Sequence, residues 1–264
     1  MATGASFSLE ERTFGQTYAV RILWAALLLV PAALLVWVAI GGTQQPDKTL
    51  LGIAAALVLI FISLWVVIGR TRLTINSIGL RHESFFGTRE IYWTDIAETR
   101  YFVSPISLSG HLGLIGLVVG AFIKSKPVNL TLRVISSERK EIKITSNFRN
   151  AKVAIGIVLG RVLPPTVAAV RSRIERGESV QFGPVTLSKT EVVWKTKTVI
   201  PVAEVERAEL GGSRLRVKRA GKWLDTISIR SDKVPNVLAF LEVLESVAPQ
   251  LKAIGIDPLA RVRF

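Results

Sequence analysis

Two uncharged apolar runs stand within the first seventy residues, and they constrain the chain more than any other feature. Residues 22–40 read ILWAALLLVPAALLVWVAI and residues 50–69 read LLGIAAALVLIFISLWVVIG, with no Asp, Glu, Lys or Arg in either. At about 1.5 Å of rise per residue, each is long enough as a helix to cross the ~30 Å hydrocarbon core of a bilayer. In that medium a single segment satisfies its own backbone only as a helix. Trp24, Trp37 and Trp65 fall toward the ends of the runs, where indoles favour the interface. Pro31 sits mid-run and predicts a kink. A cleaved signal peptide has a shorter apolar region, about 7–15 residues, and no second run directly behind it.

The link between the runs, residues 41–49 (GGTQQPDKT), is short. It predicts a helical hairpin with both ends on one side. Arg12 and Arg21 precede the first run, Arg70 and Arg72 follow the second, and the link carries only Lys48. The positive-inside rule therefore places both termini in the cytoplasm of a multi-pass protein. Neither run holds an ionisable residue in its interior, which argues against an ion or proton path through them.

Composition narrows the chemistry. The chain has no cysteine, which removes disulfides, thiolate metal sites and cysteine nucleophiles. Its two histidines, His82 and His111, are too few for a histidine-rich metal centre. No nucleophile elbow, phosphate-binding loop, GxGxxG or HExxH motif occurs. GLIGLVVG (113–120) lacks the nucleotide-binding spacing and a following lysine. The expectation is a protein with neither catalytic activity nor cofactor. Asp95 and Glu204 read as turn or cap residues.

Net charge is +14, and all of it lies after the hairpin. Residues 70–177 hold 17 basic and 7 acidic side chains, and residues 178–264 hold 14 and 10.

That region repeats itself. TRLTINSIGLRHESFFGTREIYWTDIAETRY (71–101) parallels GPVTLSKTEVVWKTKTVIPVAEVERAEL (183–210), and Leu132-Arg133-Val134 parallels Leu215-Arg216-Val217. SNFRNAKVAIGIVLGRV (146–162) aligns without gaps to SDKVPNVLAFLEVLESV (231–247). Each copy shows short alternating apolar and polar runs between turns, then one helix. In copy one, Ser146 or Asn147 is the N-cap expected, and Pro164-Pro165 should end or bend the helix, with VAAVRSRIERGE as a second piece. In copy two, the expected cap is Ser231 or Asp232, with Pro235 in the first turn and an apolar stripe of Val237, Leu238, Leu241, Leu244 and Val247.

Through LTINSIGLRHE, the IYWTDIAE run and ISIRSDKVPNVLAFLEVL, a two-span hairpin with this strand pattern resembles bacterial membrane proteins with pleckstrin-homology-like (PH-like) domains. Copy two is similar to the domain of an uncharacterised bacterial family of this architecture. The resemblance covers roughly residues 70–250. It implies an α+β membrane protein of the bacterial inner membrane, with two tandem PH-like domains, each an antiparallel curled sheet closed by a C-terminal helix. The organisation expected is a cytoplasmic N-terminal segment (1–21), a transmembrane hairpin (22–69), a first PH-like domain (70–177), a second (178–252) and a tail (253–264).

Copy one departs from the pattern through an insertion at 102–128. Its apolar part is a candidate membrane-interface element, carried by Leu112, Leu114, Ile115, Leu117, Val118 and Phe122. It reads as a loop or short helix that dips into the interface or packs on the hairpin; burial between the repeats and a third span are the alternatives.

The basic residues supply the other candidate surface. Arg214, Arg216 and Lys218 alternate with Leu215 and Val217, so period two puts the cations on one face, with Arg219 and Lys222 flanking the next turn. Arg70, Arg72, Lys124 and Lys126 are the juxtamembrane candidates of copy one. A solvated outer face explains such a pattern too, whereas near an anionic leaflet each cation contributes on the order of 1 kcal/mol. Nucleic acid is not an expected partner, because no recognition module accompanies the charge. The expected function is a non-catalytic, membrane-anchored scaffold or adaptor whose domains meet anionic lipid headgroups, a protein partner or copies of themselves. The alternative is an accessory subunit of a transport or envelope-assembly complex, in which the hairpin binds another membrane protein through Gly52-Ile53-Ala54-Ala55-Ala56.

Overall fold

A computed structural model describes residues 11–41, 48–105, 128–211, 213–251 and 262–263. The chain is α+β and divides into two compact units: residues 1–90 with 147–150, and residues 91–146 with 151–264. The interface candidates Leu112, Leu114, Ile115, Leu117, Val118 and Phe122, and the cations Lys124 and Lys126, lie outside the described residues.

In the first unit, strand β1 (Arg12–Gly15) leads into helix α1 (Tyr18–Gly41), helix α2 (Lys48–Gly69), and strands β2 (Arg72–Ile75), β3 (Gly79–Ser84) and β4 (Gly87–Tyr92). The last two residues of β4 belong to the second unit. The strands form one sheet in the order β1-β2-β3-β4. β1 pairs antiparallel with β2, Gly15 opposite Arg72 and Arg12 opposite Ile75. The helical hairpin therefore interrupts a β-hairpin: it leaves the sheet at β1 and returns to it at β2. Residues 12–15, within the N-terminal segment (1–21) read from the sequence, are thus a strand of the first sheet. Phe14, Leu73 and Ile75 are buried there.

The two helices match the two apolar runs. α1 continues through Pro31, and α2, at 22 residues, is roughly 33 Å long. They pack together, and their fully buried residues, among those described, are the small Ala32, Ala39 and Ala54. Small side chains let helix backbones approach closely. The rest of the described α2 side chains are half-buried or exposed, and only 6% of the span is buried within the molecule.

The second unit opens with a 3₁₀ turn (Trp93–Asp95) and strands β5 (Ile96–Pro105), β6 (Val128–Ser136) and β7 (Glu141–Thr145), an antiparallel meander. Helix α3 (Ala151–Glu175) follows. The Pro164-Pro165 pair is expected to end or bend the helix; it does not end it, since α3 runs through the pair as one helix of 25 residues. Buried Val158, Leu159 and Val162 precede the pair and Val167, Val170 and Ile174 follow it, so packing on both sides outweighs the missing amide donors. The Thr166 hydroxyl also donates to the Val162 carbonyl (2.7 Å). By length and composition α3 could cross a bilayer as well, but 39% of it is covered within the molecule.

Strands β8 (Val180–Phe182), β9 (Val185–Leu187), β10 (Glu191–Trp194) and β11 (Thr198–Pro201) form a second four-stranded meander. A 3₁₀ turn (Val202–Glu204) leads to β12 (Val205–Gly211), β13 (Arg214–Arg219) and β14 (Ile227–Arg230), with β15 (Val262–Arg263) parallel beside β12. After a further 3₁₀ turn (Ser231–Lys233), helix α4 (Val237–Val247) ends the copy. The order of four strands, 3₁₀ turn, three strands and helix thus occurs twice. Where copy one inserts the helical hairpin, copy two has only Gly183-Pro184 between β8 and β9.

The helix starts differ from the sequence reading. Ser231 and Asp232 lie in the 3₁₀ turn, Pro235 lies outside the helix, and Asn236 precedes α4 in the left-handed region (φ 50°). In copy one Asn150 (φ 58°) precedes Ala151 in the same way, and not Ser146 or Asn147. α4 is also buried more widely than one stripe: Ala239, Phe240 and Val243 join Val237, Leu238, Leu241 and Leu244, while Val247 is half-buried. Phe240 meets Phe182 edge-on at 5.4 Å.

Candidate functional site

The β12–β13–β14 sheet carries the basic candidates. Period two holds in β13: Leu215 and Val217 are buried, and Arg214, Arg216 and Lys218 point to the other face. That face is not a bare positive surface. Lys218 Nζ lies 2.9 Å from Glu206, and Arg219 is hydrogen-bonded to Glu204. Arg216 lies 3.8 Å from Asp225, which also faces Arg207 at 3.7 Å. Arg214 donates to the hydroxyl and the carbonyl of Ser228, both at 2.8 Å. The β12–β13 register sets Glu209 opposite Arg216 and Arg207 opposite Lys218, so these ion pairs do not join directly opposed residues. Sequence shows the cations on one strand; their anions come from β12 (Glu206), the 3₁₀ turn before it (Glu204) and the β13–β14 loop (Asp225).

Beyond the strand the surface changes. Lys222 is exposed, and Trp223 and Leu224 next to it are 95% and 77% exposed. Sequence reasoning missed both apolar residues. The available signal was a tryptophan two residues after the Ala220-Gly221 turn, where polar residues are usual.

In the first unit, Arg70 and Arg72 are exposed. Arg72 opens β2 opposite Glu83. Arg70 follows α2 directly, and its guanidinium lies 6.0 Å from the ring centre of Phe85. Phe85 and Phe86, at the β3–β4 turn, were also missed; two adjacent aromatics before a glycine were the signal. His82 is half-buried and edge-on to Phe148 at 6.1 Å. Burial, reinforced by the Arg89 charge, holds its pKa below the ordinary 6.5.

Residues 8–252 match the family of unknown function DUF6585. The chain belongs to this family. Comparison of this DUF6585 chain with curated proteins gives no match.

Elsewhere in the DUF6585 chain, Asp95 and Glu204 each occupy the last position of the equivalent 3₁₀ turns. Asp95 accepts from the Thr94 hydroxyl (3.0 Å) and Glu204 holds Arg219. Among the described residues no three His, Asp or Glu side chains gather to hold a metal ion. A cleft of about 510 Å³ lies between α3 and the first 3₁₀ turn, lined by Trp93, Thr94, Ile96, Arg161, Pro165 and Arg173 among others. It contains none of the candidate residues read from the sequence.

Proposed function

We propose that this chain is a non-catalytic, membrane-anchored scaffold or adaptor of the bacterial inner membrane. In this reading α1 and α2 span the bilayer as a hairpin inserted between the first two strands of a PH-like domain, and a second PH-like domain follows. Both termini and both domains lie in the cytoplasm. The observation that carries the reading is the β1–β2 pairing. Gly15 opposite Arg72 brings the two outer ends of the helical hairpin to one sheet, as a two-span anchor with both ends on one side requires. The uncovered apolar surface of α2 agrees with a lipid environment. Four strands, three strands and a closing helix, twice over, support the PH-like reading.

The domains then contact anionic headgroups or a protein partner. For headgroups the observation of weight is not the β13 ladder, whose cations already hold Ser228, Asp225, Glu206 and Glu204, but Lys222 beside the exposed Trp223 and Leu224. A cation next to an exposed indole suits the interfacial region. The accessory-subunit reading gains less support, because Ala54 of the small-residue run is buried in the hairpin.

The test uses the full chain in nanodiscs of neutral or part-anionic lipid, read by hydrogen exchange across a salt series. Protection of residues 220–226 that appears only with anionic lipid and fades with salt supports headgroup contact. Equal exchange in both lipids sinks it and directs attention to a protein partner.

A further inference from the structure

The β3–β4 turn of the first unit presents two phenyl rings to solvent. Phe85 is 51% and Phe86 88% exposed, and they meet edge-on at 5.6 Å. The turn is well built: the Ser84 hydroxyl donates to the Gly87 carbonyl (3.0 Å), and Gly87 takes a φ of 127° that favours glycine. A turn of this kind normally carries polar residues. Here a defined turn displays adjoining aromatics.

Three relationships place that turn at the end of α2. First, α2 runs into the sheet almost without a linker. Arg70 N donates to Val66 O (3.2 Å), the Thr71 hydroxyl donates to Val67 O (3.3 Å), and β2 begins at Arg72. Second, β3 returns antiparallel along β2, with Arg72 opposite Glu83 and Ile75 opposite Leu80. The chain therefore comes back to the α2 end just before Phe85, while the β2–β3 turn, with exposed Ile78, lies at the other end of the sheet. Third, the Arg70 guanidinium sits over the Phe85 ring. Arg70 follows the last residue of the apolar helix, the level at which a cation meets headgroups.

We infer that Phe85 and Phe86 form an interfacial wedge that seats the first sheet on the bilayer, with Arg70 between the rings and the headgroup phosphates. The inference rests on the reading that α2 spans the membrane. It adds a contact that no basic patch supplies, because burial of phenyl rings in the interface does not fade with salt.

The absence of native cysteine permits single labels. The full chain in liposomes would carry one nitroxide at Thr88→Cys beside the turn, at Ile60→Cys in α2, or at Ile78→Cys at the far end of the sheet. Relative accessibility to oxygen and to an aqueous nickel chelate reports depth. The expected result is a deep label at 60, an interfacial label at 88 and an aqueous label at 78. Phe85→Ser/Phe86→Ser should then raise nickel accessibility at 88 several-fold toward that at 78, at low and high salt alike. A deep label at 60 with labels at 88 and 78 equally aqueous overturns the wedge and leaves the spanning reading intact. No change at 88 in the double variant also overturns it. An aqueous label at 60 overturns the spanning reading and the wedge with it.

Discussion

Asn236 and Thr99 hold each other by three hydrogen bonds. The Thr99 amide (2.8 Å) and hydroxyl (3.0 Å) donate to Asn236 Oδ1, and the Asn236 amide donates to the Thr99 carbonyl (2.7 Å). Strand β5 of the first copy is thereby tied to the start of helix α4 of the second. Asn236 also sits in the left-handed region, which asparagine tolerates better than most residues. Asn236→Ala loses the acceptor and strains the backbone, and should cost about 2 kcal/mol. Asn236→Gly loses the same acceptor without the strain and should cost less. Denaturant unfolding of the two variants in detergent checks the order; equal losses would remove the conformational part of the argument.

The β8–β9 turn makes a sharper demand at Gly183. Its φ is +61°, and a Cβ there would lie 2.7 Å from the Lys233 carbonyl oxygen and 2.9 Å from Pro235 Cδ. Backbone and a proline ring cannot step aside as a flexible side chain does. Gly183→Ala should destabilise the second unit by about 2–3 kcal/mol. Gly177 also has a positive φ (+84°) but meets nothing within 4 Å, so Gly177→Ala should cost less. Thermal melts of both variants decide this.

A fragment that begins at residue 70 should behave badly. It keeps β2 but loses β1, and with it buried Phe14 and the pairing of Arg12–Gly15 with Arg72–Ile75. An uncovered edge strand recruits other chains. We expect self-association by light scattering and fast amide exchange in β2. In the full chain, Phe14→Ala should cost about 3 kcal/mol.

Acid should loosen the first unit through His82. Its pKa lies below 6.5 in the folded chain because burial, then Arg89, disfavours the imidazolium. The unfolded chain therefore takes the proton first as pH falls. The stability linked to the neutral ring is whole above pH 6.5 and is lost as pH drops through the folded value. Protection factors in β2 and β3, compared between pH 7.5 and 5.5, should fall in the native chain and fall less in His82→Gln.

The charge pairs of β13 predict a contrast in lipid contact. Lys218→Gln removes a cation already neutralised by Glu206 at 2.9 Å, and should change protection on anionic nanodiscs little. Lys222→Gln and Trp223→Ser alter the exposed tip and should reduce it several-fold. The reverse order would place the contact on the strand face.

Local pattern made much of this molecule legible. An apolar run of helical length needs no partner to declare itself, so both apolar helices could be read from hydropathy. Alternation in Arg214–Arg219 and the repeat spacing rest on neighbours in sequence, and they too could be read. What needed tertiary structure involves partners distant in the chain. Strand β1 is four residues, RTFG, with little local signal; its identity comes from β2, where Thr13 faces Thr74 across a separation of 61 positions. α3 stays whole through two prolines because the core grips both its halves, a fact about packing and not propensity. Three of the β13 cations are matched by anions from outside that strand, Lys218 by Glu206, Arg219 by Glu204 and Arg216 by Asp225. Composition and periodicity determined an apolar hairpin and a repeated β-rich chain with a positive surplus. Only the folded backbone decided that the hairpin opens out of the first sheet, because pairing between distant strands is written in geometry and not in any local stretch.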